Sequence, residues 1–573
     1  MNLRNTALQE RHTKTKSKVK YVNSNGIILT LTQETKNIFS VNWTTISKHP
    51  IKFIDCFELS NAHWYGGGEL SNQPWPLENV EVHMAPYIPS SMTTSHSLGT
   101  SMQSFGNLLE RYWLCSKGVA IFVDSSVPLH VSLNETGNGK LCIKSDKKDY
   151  PPKAVSYLGY RVLSGHDARE LQYMAVKEFL GKAHTFPNKD LITKASWIIK
   201  HNVSDRKIKE IRENMLQFKY NCSYVLIKRQ KHNALPLPYS SIHKDEFINL
   251  KRIGCKIGAD VHPYIKVSTT EFLELANKDY FIKDCKRKVP GLIMWKNSLA
   301  AVLDLTHVSG KNWLKNKLAN LGYDLFQFHG VDALNLPLCC QFMNGSINPG
   351  NFLNEYAKFA ANMNGSIVSV GYRSQALPIF IQINRKENTW DGLRSLIPTI
   401  LTYGIMGYPY IMPPPVGGNH GNTDEELYVR WMQLNVFLPA MQFRAEMAPW
   451  TFELKEIFAH LFKLRNHLIP VLLEAFSNVT RSGAPIIRPL WWVAPKDPRA
   501  LEHSSQFMLG DTYLVAPVLV HGATKKMVYL PVGHWKEEFD ERNVIDVKNT
   551  GLWKEYPVSL KTVLYFKCLA LYS

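Results

Sequence analysis

From about residue 194 to residue 473 the sequence switches repeatedly between short apolar runs and amphipathic stretches, and this rhythm constrains the fold more than any other feature. Residues 196–200 read as a strand and 205–217 as an amphipathic helix. Then 223–228 is extended, 246–253 helical, 255–265 extended, 310–321 helical, 324–329 extended, 352–362 helical and 367–370 extended. Repeated β then α over roughly 280 residues predicts a parallel (β/α)8 barrel. A doubly wound sheet is the structural alternative, and no glycine-rich phosphate loop supports it.

The flanks obey a different rule. Runs such as 27–31, 118–123 and 129–133 alternate apolar and polar residues between turn signals, the pattern of a β-sandwich, and a helical patch at 166–180 follows. Strand-like runs return at 486–492, 512–518, 526–530 and 563–566. The expected division is a basic, disordered tail over 1–20, an N-terminal β-sandwich over 21–185, the barrel over 186–477 and a C-terminal β-sandwich domain over 478–573. The fold class is multidomain α/β, a length of 573 residues being too much for one ordinary domain.

Charge narrows the partners. The net charge is +19, yet the basic residues are spread along the chain. Their clearest cluster is Arg4, Arg11, Lys14, Lys16, Lys18 and Lys20 against Glu10, which reads as a solvated tail. No reader motif accompanies the charge, so nucleic acid is not an expected partner. The nine cysteines are scattered without a CxxC pair, which argues against zinc; one or two structural disulfides are compatible with secretion. Seven N-x-S/T sequons, at Asn42, Asn134, Asn202, Asn221, Asn344, Asn364 and Asn478, speak weakly for the secretory route. Residues 1–21 contain no apolar signal-peptide core. The most apolar run, 396–416, contains five prolines and reads as a buried helix followed by a strand.

Several motifs, in order, resemble glycoside hydrolase family 31, and within it an animal branch. They are His63-Trp64-Tyr65-Gly66-Gly67-Gly68-Glu69, Ala301-Val302-Leu303-Asp304-Leu305-Thr306, Gly404-Ile405-Met406-Gly407-Tyr408-Pro409, Glu426-Leu427-Tyr428-Val429-Arg430-Trp431 and Leu438-Pro439-Ala440-Met441-Gln442-Phe443. The C-terminal pieces are the most specific: Ile487-Arg488-Pro489-Leu490-Trp491-Trp492, Gln506-Phe507-Met508-Leu509-Gly510-Asp511, Leu514-Val515-Ala516-Pro517-Val518 and Tyr529-Leu530-Pro531-Val532-Gly533-His534-Trp535. The resemblance implies a retaining glycosidase architecture. That chemistry needs two carboxyl groups about 5–5.5 Å apart, one a nucleophile and one an acid/base.

The resemblance also assigns positions. Phe326-Gln327-Phe328-His329-Gly330-Val331-Asp332 matches the nucleophile motif, with His329 at the nucleophile and Gln327 where the family carries a lysine beside the sugar. Counting five residues back from Trp390 places Arg385 at the acid/base, and arginine stays protonated at physiological pH. A shift of two residues would offer Glu387 instead. The carboxylate expected before a Gly-Gly pair is replaced within Pro413-Pro414-Pro415-Val416-Gly417-Gly418, and the acidic sugar ligand after strand two falls near Lys228-Arg229. Arg373, Trp295 and Asp304 match family site positions, although Trp295 also reads as core and Asp304 as a helix cap. Asp324 opens its strand at the barrel's other end, and Asp332 is the best surviving carboxylate.

The expectation is therefore a catalytically inactive, carbohydrate-binding family member with no metal and no cofactor. Its expected ligand is a glycan or glycoprotein, with a preference for anionic glycans. The alternatives are an active retaining α-glycosidase, of α-galactosidase or α-glucosidase type, using Asp332 and Glu387, and a protein-interaction module whose pocket is closed. By resemblance to membrane-anchored relatives, the secretory pathway and proximity to a membrane are implied. Oligomeric state is not readable.

Overall fold

The computed structural model describes the chain except residues 1–10, 15–16, 24, 48–50, 71–72, 90–104, 152–153, 201–202, 218–221, 229–234, 237–242, 285, 296, 330–335, 338–340, 346–347, 364–366, 419–423, 445–451, 540–542 and 573. Eight parallel strands form its centre: β1 (Ala195–Lys200), β2 (Cys222–Lys228), β3 (Lys256–Val261), β4 (Leu325–Phe328), β5 (Ile367–Val368), β6 (Phe380–Gln382), β7 (Ile411–Met412) and β8 (Gln442–Arg444). They pair in the order β7-β6-β5-β4-β3-β2-β1-β8. At the seam between β7 and β8 the amide of Val416 donates to the carbonyl of Gln442 at 2.8 Å. The barrel expected from the alternation is thus present.

Helices cover its outside because their apolar positions recur on one face. In α1 (Asp205–Gln217) Ile208, Ile211 and Met215 are buried, while the charged residues between them face water. The remaining cover is α2 (Lys244–Arg252), α3 (Val308–Ala319), α4 (Gly350–Ala361), α5 (Trp390–Ile405), α6 (Glu425–Asn435) and α7 (Phe452–Ser482). No helix joins β5 to β6; the loop over 369–379 replaces it. Between β3 and α3 a small antiparallel sheet of Tyr264–Lys266, Ser298–Val302 and Leu292–Trp295 is inserted. A disulfide between Cys222 and Cys255 ties the start of β2 to the residue before β3.

The N-terminal domain stacks an eight-stranded antiparallel sheet on a four-stranded one. Trp64, Leu109, Trp113, Ile121, Val131, Leu141 and Ile143 fill the space between them, and Cys56–Cys142 links neighbouring strands of the smaller sheet. The three glycines of Trp64–Leu70 serve this packing. Gly66 and Gly67 hold φ of 94° and 74°. A Cβ on Gly66 would stand 2.7 Å from the carbonyl oxygen of Tyr112, and one on Gly67 2.5 Å from the Trp113 indole nitrogen. The strand Phe105–Cys115 therefore approaches closely only because side chains are missing here.

Three expectations are corrected. Part of the basic head is ordered, since Arg11–Lys14 pairs antiparallel with Lys18–Val22 at the edge of the larger sheet. An edge strand tolerates charge because one side of it faces water. The barrel does not end at residue 477, because α7 continues to Ser482. Residues 486–492 are not one strand: Ile487–Arg488 pairs with Phe507–Leu509, and Leu490–Trp492 is a single 3-10 turn. Pro489, which lacks an amide donor, separates the two. The C-terminal domain then forms a six-stranded and a two-stranded sheet. Among the described residues no helix is long and apolar enough to cross a membrane.

Candidate functional site at the barrel mouth

Barrels of this type present reacting groups at the C-terminal ends of their strands. Which side chains point inward follows from the twofold period of a strand. Phe328 packs on Tyr356 and Phe359 of α4, with ring centroids 5.6 and 5.7 Å away. Phe443 packs on Phe462 of α7 at 5.7 Å. Both phenylalanines face the helices, so their neighbours Gln327, His329, Gln442 and Arg444 face the lumen.

Gln327 forms the floor. Its Nε2 donates to Gln382 Oε1 at 2.8 Å, and Gln382 Nε2 donates to the carbonyls of Met412 and Pro413 at 3.2 and 3.1 Å. One polar ladder thus crosses β4, β6 and β7. Above it, His329 directly follows β4. Its amide donates to the Val261 carbonyl at 2.8 Å, and its own carbonyl accepts from the Tyr356 hydroxyl at 3.0 Å. Its Nε2 lies 3.4 Å from Asp260 Oδ1, on the neighbouring strand β3. His262 lies between His329 (6.1 Å) and Trp295 (5.5 Å) with its ring tilted against both, and Trp295 is buried in the core.

The electrostatics of this layer are inverted for a glycosidase. Burial alone would raise the Asp260 carboxyl, but His329, Lys228 and His262 hold it at about 2. Burial lowers His329, with Lys228 and Arg385 adding to that effect and Asp260 opposing it. Burial also lowers Lys228, which feels attraction from Asp260 and repulsion from Arg385 and Arg444. At neutral pH the mouth therefore holds an ionised Asp260, a neutral imidazole at 329 and the guanidinium groups of Arg385 and Arg444.

Two loops at the mouth are braced by the N-terminal domain. Glu69, at the end of the glycine-rich strand, is fully buried. Its Oε2 accepts from Asn384 Nδ2 at 2.6 Å and from the Tyr403 hydroxyl at 2.9 Å. Asn107 Nδ2 donates to Asn384 Oδ1 at 3.0 Å. Burial raises the Glu69 carboxyl, and the nearby Lys386 ammonium opposes the rise. This network fixes the segment after β6, from which Arg385 and Glu387 project exposed. Glu110 does the same after β5. Its Oε1 accepts from the Tyr408 hydroxyl and the Arg373 amide, both at 2.6 Å. Burial pushes its carboxyl up to about 7. Arg373 is exposed and holds φ of 49°.

Other expected positions fall elsewhere. Asp304 holds a turn: Oδ1 accepts from the Thr306 amide and hydroxyl at 2.8 and 2.6 Å, and Oδ2 from the Met343 amide at 2.8 Å. Asp324 accepts from the Ile257 amide at 2.9 Å, at the start of β4 and the opposite end of the barrel. Asp332 and Arg229 lie outside the described residues. Sequence reasoning missed Asp260, Arg444, Glu69 and Glu110. Asp260 carried a signal, a lone carboxylate inside the apolar strand Lys256–Val261. Among the described residues no group of three or more His, Cys, Asp or Glu is placed to hold a metal ion.

Comparison with known proteins places this geometry. Residues 5–165 match the description "myogenesis-regulating glycosidase N-terminal domain", 383–475 "glycosyl hydrolases family 31 TIM-barrel domain" and 483–568 "glycosyl hydrolase family 31 C-terminal domain". The chain is 33% identical to myogenesis-regulating glycosidase of Mus musculus over 88% of its length and 74% of the relative's. It is 27% identical to SITS-binding protein of Tetronarce californica over 93% and 78%. Among solved structures, a family 31 sulfoquinovosidase from E. rectale superposes with a TM-score of 0.79 at 16% identity, covering 98% of this chain and 88% of that one. A dextranase of Flavobacterium johnsoniae gives 0.76 at 17%, covering 97% and 73%. The barrel, its two flanking β domains and this run of sequence likeness have one common source: the chain belongs to glycoside hydrolase family 31.

Proposed function

We propose that the chain is a catalytically inactive family 31 protein that binds glycans. The reading rests on the positions that the family resemblance assigns to the two carboxyl groups, where this sequence has His329, directly after β4, and Arg385, in the segment after β6, on the side where the reacting groups of such barrels stand. Retaining hydrolysis needs an ionised carboxylate beside the anomeric carbon and a protonated carboxyl opposite. An imidazole held neutral by burial gives the oxocarbenium-like centre no negative charge, and a guanidinium donates no proton. Asp260 is ionised but already faces His329 and Lys228. The first relative's name, a glycosidase, motivates a sugar as the ligand. Two disulfides and the sequons support passage through an oxidising, secretory compartment.

Aryl α-galactosides and α-glucosides, assayed from about pH 4 to 8, test the reading across the carboxyl and histidine range. No turnover above buffer, together with retention of the protein on a glycan array, is the expected result. Turnover that survives repurification and is abolished by Glu387→Gln or Asp332→Asn would overturn it in favour of an active glycosidase.

A further inference from the structure

We infer that the small antiparallel sheet inserted between β3 and α3 is a docking surface for an anionic phospholipid membrane. Leu292, Met294 and Leu299 enter the headgroup layer, and Lys286, Arg287 and Lys288 meet the headgroup charge. The inference is independent of what the barrel holds.

The outer face of this sheet is apolar where a surface strand ordinarily turns polar residues to water. Along Leu292–Trp295 exposure alternates with the twofold period of a strand. Ile293 and Trp295 are buried, whereas Leu292 is 45% and Met294 63% exposed. Leu299, 50% exposed, lies directly opposite Met294 on the neighbouring strand. Three adjacent apolar side chains thus share one open face, and Val289, 56% exposed, stands just before their strand. Single exposed apolar residues are ordinary on a protein, but a contiguous group of them marks a contact surface.

The turn leading into that strand carries the charge. Lys286, Arg287 and Lys288 are consecutive and all exposed. The Asp284 amide donates to the Val289 carbonyl at 3.0 Å, which closes the turn. Asp284 Oδ1 accepts from the Lys288 amide at 3.0 Å, and Arg287 Nε donates to the neutral Gln341 Oε1 at 3.1 Å. Lys283, before the turn, is matched by Asp279 at 2.8 Å. Among the described residues no carboxylate pairs with the ammonium of Lys286 or Lys288. Three cations therefore stand against the single carboxylate of Asp284. Lys288 is four residues from Leu292, a reach of at most about 14 Å.

Exposed aliphatic groups beside solvated cations suit a layer of anionic headgroups over acyl chains. A second copy of the chain, docked about a twofold axis, would set these cations against their own likeness. Protein partners favour surfaces with aromatic anchors and few lysines. The exposed apolar groups here are aliphatic or thioether, with two lysines beside them.

Flotation of the full chain with vesicles at low salt tests the surface. One set is phosphatidylcholine alone, and the other contains about one-third phosphatidylserine. Partitioning should be on the order of ten-fold or more stronger on the anionic set. Lys286→Ser with Lys288→Ser should weaken it by about twenty-five-fold, at about five-fold per cation. Leu292→Ser with Met294→Ser should weaken it on the order of ten-fold, with an unchanged circular dichroism spectrum because both side chains are exposed. Lys177→Ser with Lys548→Ser, exposed lysines elsewhere on the chain, should change it little. An equal loss from that second lysine pair would show diffuse attraction by the net charge of +19 and overturn the surface. Equal partitioning on both vesicle sets, or flotation on neither, would also overturn it. A dimer in sedimentation that Met294→Asp dissociates, without flotation, would assign the face to a second copy instead.

Discussion

Replacing Glu110 by Gln should make the protein more resistant to alkaline conditions. Glu110 comes from the N-terminal sandwich but is enclosed against the barrel, 1% exposed, where its Oε1 accepts from Tyr408 and from the Arg373 amide. Burial lifts its carboxyl from 4.5 to about 7. A folded-state value above the unfolded one means that the native protein holds the proton more tightly. The stability this contributes is complete below about pH 4.5 and falls as pH rises, until the folded carboxyl has ionised above about pH 7. The whole span corresponds to about 3 kcal/mol. Between about pH 5.5 and about pH 8.5 the expected loss is about 2 kcal/mol. Glutamine keeps the accepting oxygen and cannot ionise, so the variant escapes that loss. Fluorescence-detected urea unfolding of both proteins at the two pH values measures the difference. The variant should gain about 2 kcal/mol on wild type between them. A gap independent of pH would mean that Glu110 is already ionised in the folded protein, and the reasoning from burial would fail.

Arg465→Met should cost about 3 kcal/mol or more in the same assay, because the 3%-exposed guanidinium donates to the carbonyls of Val436, Leu438, Ile192 and Pro439 and their loss leaves buried acceptors unpaired. Gly67→Ala should cost about 2–4 kcal/mol, combining a left-handed backbone with a clash against the Trp113 ring; unchanged stability would refute the packing role given to the glycine run. Cys56→Ser should lower stability by about 4.5 kcal/mol, the loop-closure term for a crosslink spanning 86 residues, and a reducing agent, which also opens Cys222–Cys255 in both proteins, should cost wild type more than it costs the variant by about that amount.

The barrel was readable because its strands and helices differ in period as well as composition. Residues 205–217, expected as a helix, form one with those bounds. The missing helix between β5 and β6 was less readable, since a loop braced by Glu110 depends on a residue 263 positions away. His329 and Arg385 could be singled out from motif order alone. Their companions could not: Asp260, Lys228 and Arg444 lie on β3, β2 and β8, and only closure of the sheet brings their charges together. The basic head misled because composition measures solvation and not pairing. Lysines that look unfit for a core are acceptable in a strand such as Lys18–Val22, second from the sheet edge and paired on both sides, where none of the five residues is fully buried. Residues 486–492 misled for the opposite reason. Their aromatics resemble a strand, but Trp491 turns to pack on Tyr65 of the first domain at 5.4 Å.

Glu69, Asn107 and Glu110 make the first domain a mould for the second. The loops that carry Arg373 and Arg385 take their shape from carboxylates and an amide encoded more than 250 positions earlier. Inherited or engineered changes in Trp64–Leu70 or Phe105–Cys115 should therefore register as changes in what the barrel grips, although none of those residues need touch a ligand. A barrel cut free of its sandwich would take from Asn384, Tyr403 and Tyr408 the carboxyl oxygens to which they donate, and grafting this mouth onto another scaffold would require transplanting both strands with it.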